Sequence, residues 1–207
     1  MKRTLLIIAL VLTQVSFAGT KSYEKKMQSA YDLMEAQKFE EAKSAFKKLS
    51  DKYDDNWLPS YYVALIDITQ CFYGLESESY YSWLEEAQTF LDKSEVLSPD
   101  NPEILVLQAM SHTCYIIKDR EKYGPILPGT IYGIYEQAIQ IAPNNPRVVL
   151  CKAEWDMGAA MYFGKDPKEL CPDIQKSIEL FSTFKNETPF YPKWGLERAE
   201  FVISECK

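Results

Sequence analysis

Apolar residues recur every three to four positions along most of the chain, in runs interrupted by Pro, Asn and Asp. That period belongs to amphipathic helices. The spacing predicts helices over about 22–36, 39–53, 57–74, 79–97, 103–117, 130–141, 147–162, 172–185 and 192–205. No stretch alternates apolar and polar residues for long enough to suggest a sheet. Ser98-Pro99-Asp100-Asn101-Pro102 and Ala142-Pro143-Asn144-Asn145-Pro146 are near copies of one another. In each, one proline stops a helix and a second opens the next.

Small residues recur on a longer period. Ala30, Ala64, Ala109 and Ala153 stand midway along alternate predicted helices, separated by 34, 45 and 44 residues. The helices between them carry Ala42 with Phe46, Ala87 with Leu91, and Tyr135 with Ala138. Closely crossing helices need small side chains at the crossing and bulky ones beside it. Repetition of that rule along a chain stacks helix pairs into a solenoid.

Two segments resemble the tetratricopeptide repeat (TPR) family. Phe39-Glu40-Glu41-Ala42-Lys43-Ser44-Ala45-Phe46 looks like the opening of that family's second helix. Tyr135-Glu136-Gln137-Ala138-Ile139-Gln140-Ile141-Ala142-Pro143 looks like its ending. The resemblance spans about residues 22–162, and more weakly 172–206. Ala replaces the family's first-helix Gly, Ile131 stands where a small residue is usual, and Lys118 to Gly129 is an inserted loop. The resemblance implies an all-α, right-handed α-solenoid of about four TPR-like helix pairs, closed by a C-terminal cap helix. It also implies that first helices line a concave face. That pattern selects Met27, Tyr31 and Met34; Tyr61, Leu65 and Ile68; Val106, Met110 and Thr113; and Leu150, Glu154 and Met157. A face so rich in Met and Tyr suits an adaptable polypeptide groove. The alternative arrangement is that an insert or the cap fills the groove and makes these residues core.

The N-terminus changes the compartment. Lys2 and Arg3 precede an apolar run from Leu5 to Leu12, and Ser16-Phe17-Ala18 supplies small residues at a cleavage position. This is the layout of a cleavable signal peptide over 1–18, leaving 19–207 as one helical repeat domain. The run is too short to span a bilayer, and no membrane span is expected in the mature chain. The mature protein is expected to be exported, to a periplasm or into the medium. The whole chain carries 23 Lys plus Arg against 30 Asp plus Glu, a net charge of −7. An acidic chain repels nucleic-acid backbones, which argues against a nucleic-acid partner.

With 8 glycines and a single histidine, His112, the chain holds no phosphate-loop, dinucleotide, zinc-protease or nucleophile-elbow motif. His112 and Cys114 stand two apart and point to different sides of a helix. No catalytic centre, cofactor or metal site is therefore expected. The 5 cysteines of an exported chain are read as possible disulfides. Cys171 opens one predicted helix and Cys206 closes the next, so an antiparallel hairpin would join them. Cys71 and Cys114, near the ends of successive first helices, form a second candidate pair, and Cys151 is expected as a buried thiol. The sequence thus describes a non-catalytic adaptor or scaffold for a protein or peptide partner. The alternative is a small-ligand or glycan-binding helical protein that uses exposed Trp57, Trp83, Trp155 or Trp194 for stacking.

Overall fold

A computed structural model describes residues 21–186 and 188–206. The predicted signal segment, 1–18, lies outside these residues. Among the described residues the structure is helical, with no strand. The first helix, α1, runs over 21–35. It is followed by α2 (Phe39–Lys52), α3 (Leu58–Tyr73), α4 (Tyr80–Leu97), α5 (Pro102–Lys118), α6 (Arg120–Tyr123), α7 (Pro128–Ile141) and α8 (Pro146–Tyr162). A 3-10 turn, Pro167–Leu170, leads into α9 (Cys171–Thr183), and α10 (Leu196–Ser204) closes the chain. No helix is long and apolar enough to cross a membrane.

The duplicated turns act as helix starts. Asn101 precedes α5, and its side chain accepts from the Glu103 backbone N–H. Asn145 does the same for α8, accepting from Arg147 and Val148. Each Asn satisfies donors that a helix start leaves without partners, and the Pro at the next position has no N–H to satisfy. The insert after Lys118 contains the short α6, whose start is capped by Asp119 accepting from Lys122 N–H.

Packing follows the small residues. Ala30, Ala42, Ala64, Ala87, Ala109 and Ala138 are fully buried. They let α3 lie against α2 and α4, and α5 against α4 and α7. Phe46 of α2 stacks on Tyr62 of α3 with ring centroids 5.0 Å apart. Three apolar clusters succeed one another: α1 to α5, then α5, α7 and α8, then α8 to α10.

The C-terminal part departs from expectation. Residues 192–195 do not begin the last helix. Gly195 sits at φ +114°, and a Cβ there would come 2.7 Å from Phe181 Cζ, so the chain turns at this glycine before α10 starts. The preceding residues cross the first helices. Tyr62 Oη donates to the Phe190 carbonyl at 2.8 Å, and Trp194 Nε1 donates to Tyr61 Oη at 2.8 Å. Tyr191 meets Trp57 edge-on. A disulfide joins Cys171, at the start of α9, to Cys206, just beyond α10, with Cα atoms 6.1 Å apart. The strap at 188–195 is therefore bounded by two helices that are covalently tied.

Candidate functional site

The strap decides what surface remains. Met27, Tyr61, Ile68, Val106 and Leu150 have no exposed area, and Leu65 is buried as well. Tyr31, Met34, Met110, Thr113, Glu154 and Met157 are half-buried. Tyr31 faces the Phe190 ring of the strap. Thr113 Oγ1 donates to the Ala109 carbonyl of its own helix. Glu154 accepts from Arg198 of α10 at 2.7 Å, and burial raises its pKa against the pull of Arg198. Six of the twelve residues are thus core, and at Tyr31 and Tyr61 the face is occupied by the chain's own aromatic segment. The tryptophans are not exposed either. All four are half-buried: Trp57, Trp83 and Trp194 pack on the first cluster, and Trp155 on the second.

Two buried charge groups brace this core. Glu103 and Arg147 follow the two duplicated Asn-Pro turns at equivalent positions, and they pair with one another. Arg147 Nε and Nη2 donate to the two Glu103 oxygens at 2.7 Å each, and Asn145 Nδ2 donates to Glu103 Oε1 at 2.6 Å. The guanidinium lies 5.0 Å from the Phe184 ring centroid and 5.7 Å from that of Tyr191, so it also supports the strap. The second group joins α2, α3 and α4. Lys43 reaches Asp67 at 2.7 Å and Glu86 at 3.4 Å, and Lys47 also pairs with Glu86. Asp67 is fully buried with Oδ2 unpartnered. Burial pushes its carboxyl up to about 7 against the pull of Lys43.

Burial lowers the pKa of His112, which is half-buried beside Gln108. Among the described residues no cluster of three or more His, Cys, Asp or Glu could hold a metal. An open cleft of about 640 Å³ lies where the Ala142–Asn145 turn, the end of α9 and Tyr191 meet.

The more distinctive surface is the edge formed by the C-terminal ends of α3, α5 and α8. Tyr73 is 89% exposed, Tyr162 67% and Phe163 71%. Phe72, Leu75, Tyr81, Ile117, Ile126 and Met161 are exposed as well. The edge is continuous. Lys118 Nζ, at the end of α5, donates to the Leu75 carbonyl beyond α3 at 2.6 Å. Tyr81 lies 6.4 Å from Tyr115, and Tyr115 lies 5.1 Å from Tyr123 on the insert. Arg120 of the insert lies 5.8 Å from the Tyr162 ring, which in turn meets Phe163 at 5.1 Å. Lys122 stands over Tyr123 at 4.7 Å. The result is an aromatic strip flanked by Arg120, Lys118 and Lys122 in an otherwise acidic protein.

Sequence reasoning passed over this edge, although a signal was present. Phe72-Tyr73-Gly74 and Tyr162-Phe163-Gly164 are equivalent aromatic doublets, each ending a first helix at a glycine. Helix periodicity draws attention to helix middles, and these residues lie past the last buried turn.

No family model and no curated protein matches the chain. Among solved structures it is similar to the HusA haemophore from Porphyromonas gingivalis, with 21% sequence identity and a TM-score of 0.76. The likeness covers 91% of this chain and 92% of that one. At this identity it shows a shared all-helical fold.

Proposed function

We propose that this chain is an exported, non-catalytic binding protein that holds a planar, largely apolar, carboxylate-bearing ligand of the haem class on its aromatic edge. In this reading the helix pairs are TPR-like and stack as a right-handed solenoid with a cap. The signal segment at 1–18 sends the chain out of the cytoplasm, and the Cys171–Cys206 bridge suits the oxidising compartment it enters. The observation that carries the ligand class is the strip of Tyr115, Tyr123, Tyr162 and Phe163 with Arg120 and Lys122 beside it. Aromatic rings offer stacking area to a flat ligand, and cations at the margin meet its carboxylates. The likeness to a haemophore over nearly the whole chain supports the same class. The polypeptide-adaptor reading has less support, because residues 188–195 cover the part of the face it would use at Tyr61 and Tyr62.

The test is an absorbance titration of the mature protein with haemin. Saturable binding is expected. The double substitution Tyr162→Ala with Phe163→Ala should weaken it by about tenfold or more, since each stacking ring contributes on the order of 0.5–1.5 kcal/mol beyond its area. Arg120→Glu should weaken it further. Both rings are exposed, so melting should barely change. Absence of saturable binding, or binding indifferent to all three substitutions, would refute the reading.

A further inference from the structure

Three cysteines remain outside the disulfide: Cys71, Cys114 and Cys151, all buried. Two of them meet at one joint. Cys71 lies on α3 and its Sγ is 3.7 Å from the Tyr80 carbonyl. Cys114 lies on α5, and its own carbonyl accepts from Tyr80 Oη at 2.8 Å. The Cys114 sulfur is 3.9 Å from the carbonyl of Ile68, one turn before Cys71 on α3. Tyr80 therefore touches both cysteines, and the Cys114 thiol faces the backbone turn that carries Cys71. Hydrogen bonding with Cys71, then burial, push the Cys114 thiol up. Once folded, this pair is sealed from solvent and unreactive, because the thiolate is the attacking species.

We infer that Cys71 and Cys114 form a second disulfide when the exported chain folds in an oxidising compartment. The step is thiol–disulfide exchange before Tyr80 closes over the joint. One thiol loses its proton and attacks the disulfide of an oxidant, a small-molecule or protein disulfide, expelling one thiolate. The second thiol then displaces the other oxidant sulfur. Two S–H bonds become one S–S bond, and the oxidant leaves as two thiols. The bridge would link α3 to α5 directly beneath the exposed edge, since Cys71 precedes Phe72 and Tyr73, and Cys114 precedes Tyr115. It stands independently of what that edge binds.

The test uses the full chain, exported to a bacterial periplasm and alkylated with iodoacetamide during lysis, then denatured without reduction. A parallel sample is refolded from the reduced state in a buffer of oxidised and reduced glutathione. Peptide mapping should find Cys71 linked to Cys114 and Cys171 linked to Cys206, with alkylation confined to Cys151. Cys151→Ser should then leave no alkylated cysteine in either sample, and Cys71→Ser should return Cys114 to the alkylated set. Alkylated Cys71 and Cys114 in molecules that carry the Cys171–Cys206 link would overturn the inference. So would a link from either to Cys151, or two reactive thiols persisting in Cys151→Ser.

Discussion

Arg147→Met isolates the buried charge pair that joins α5 to α8. Arg147 is 1% exposed and Glu103 fully buried. The Arg makes two 2.7 Å hydrogen bonds to that carboxylate and faces two rings of the segment after α9. Met keeps most of the apolar stem but removes the charge. Glu103 is then left as a buried carboxylate with only Asn145 Nδ2 as a side-chain donor, at 2.6 Å. Removing one partner of a buried pair costs about 3–5 kcal/mol, a large share of the stability of a domain this size. Gln at position 103 removes the stranded charge and keeps an oxygen for Asn145. The double variant Glu103→Gln with Arg147→Met should therefore recover most of the loss, to within about 1–2 kcal/mol of the unaltered protein. Glu103→Gln alone should sit between, because the guanidinium keeps only a neutral acceptor. Urea unfolding followed by circular dichroism at one pH gives all four corners of the cycle. The reasoning fails if Arg147→Met costs less than about 1 kcal/mol, or if the double variant is no more stable than Arg147→Met. Either result would mean that the pair is not dry, or that the strap rather than the charge determines the loss.

Asp67 predicts a pH effect of definite sign. Burial holds its carboxyl at about 7, above the ordinary carboxylate value near 4, so the folded state binds the extra proton between these values. The stability it contributes is present below about pH 4 and is lost as pH rises through 7. The urea midpoint of the unaltered protein, measured relative to Asp67→Asn, should therefore fall between pH 5 and pH 8, and a relative midpoint that rises would contradict the assignment. At the strap's end, Gly195→Ala would place a Cβ 2.7 Å from Phe181 Cζ at a φ of +114°. The combined strain and overpacking should cost about 1–3 kcal/mol in a thermal or urea melt, and a neutral result would place the turn elsewhere.

The helical architecture was legible because its causes are local and periodic. The Asn-Pro turns cap α5 and α8 through side chains that contact only the following two or three residues, so sequence alone reveals them. The small residues were legible for the same reason, since Ala109 and Ala153 each stand ten residues after the first proline of the preceding turn, Pro99 and Pro143. The Cys171–Cys206 hairpin followed from placing two cysteines at opposite ends of consecutive helices. What was not legible depended on distant contacts. Nothing local shows that Phe190, Tyr191 and Trp194 return over 100 residues to α1 and α3, because Phe190 bonds to Tyr62 at a separation of 128 and Trp194 to Tyr61 at 133. The pairing of Glu103 with Arg147 is a middle case. The two occupy equivalent positions 44 residues apart, a repeat length, and their opposite charges could have suggested contact between neighbouring repeats.

Where the strap goes also determines where function can be sought. In a stack of helix pairs, the middles of the first helices are consumed by crossings and their inner faces form the obvious groove. Here Tyr31, Tyr61, Tyr62 and Trp57 of that face meet Phe190, Tyr191 and Trp194 instead of solvent. Folding gives no reason for the helix ends to be aromatic. A fully buried ring removes 150–250 Å² from water, so leaving Tyr73, Tyr162 and Phe163 outside forgoes roughly several kcal/mol that burial would have contributed. Polar residues would solvate these ends at no such loss. The same aromatic doublet before glycine appears on α3 and α8, with the Tyr115–Tyr123 contact of α5 and the insert between them. The insert itself supplies Arg120 and Lys122, alternating with Asp119 and Glu121. Within the insert, α6 itself buries no residue, while Leu127 packs on the second apolar cluster. The insert brings the Tyr123 ring to the strip together with Arg120 and Lys122, and a binding role would use that ring and the two cations.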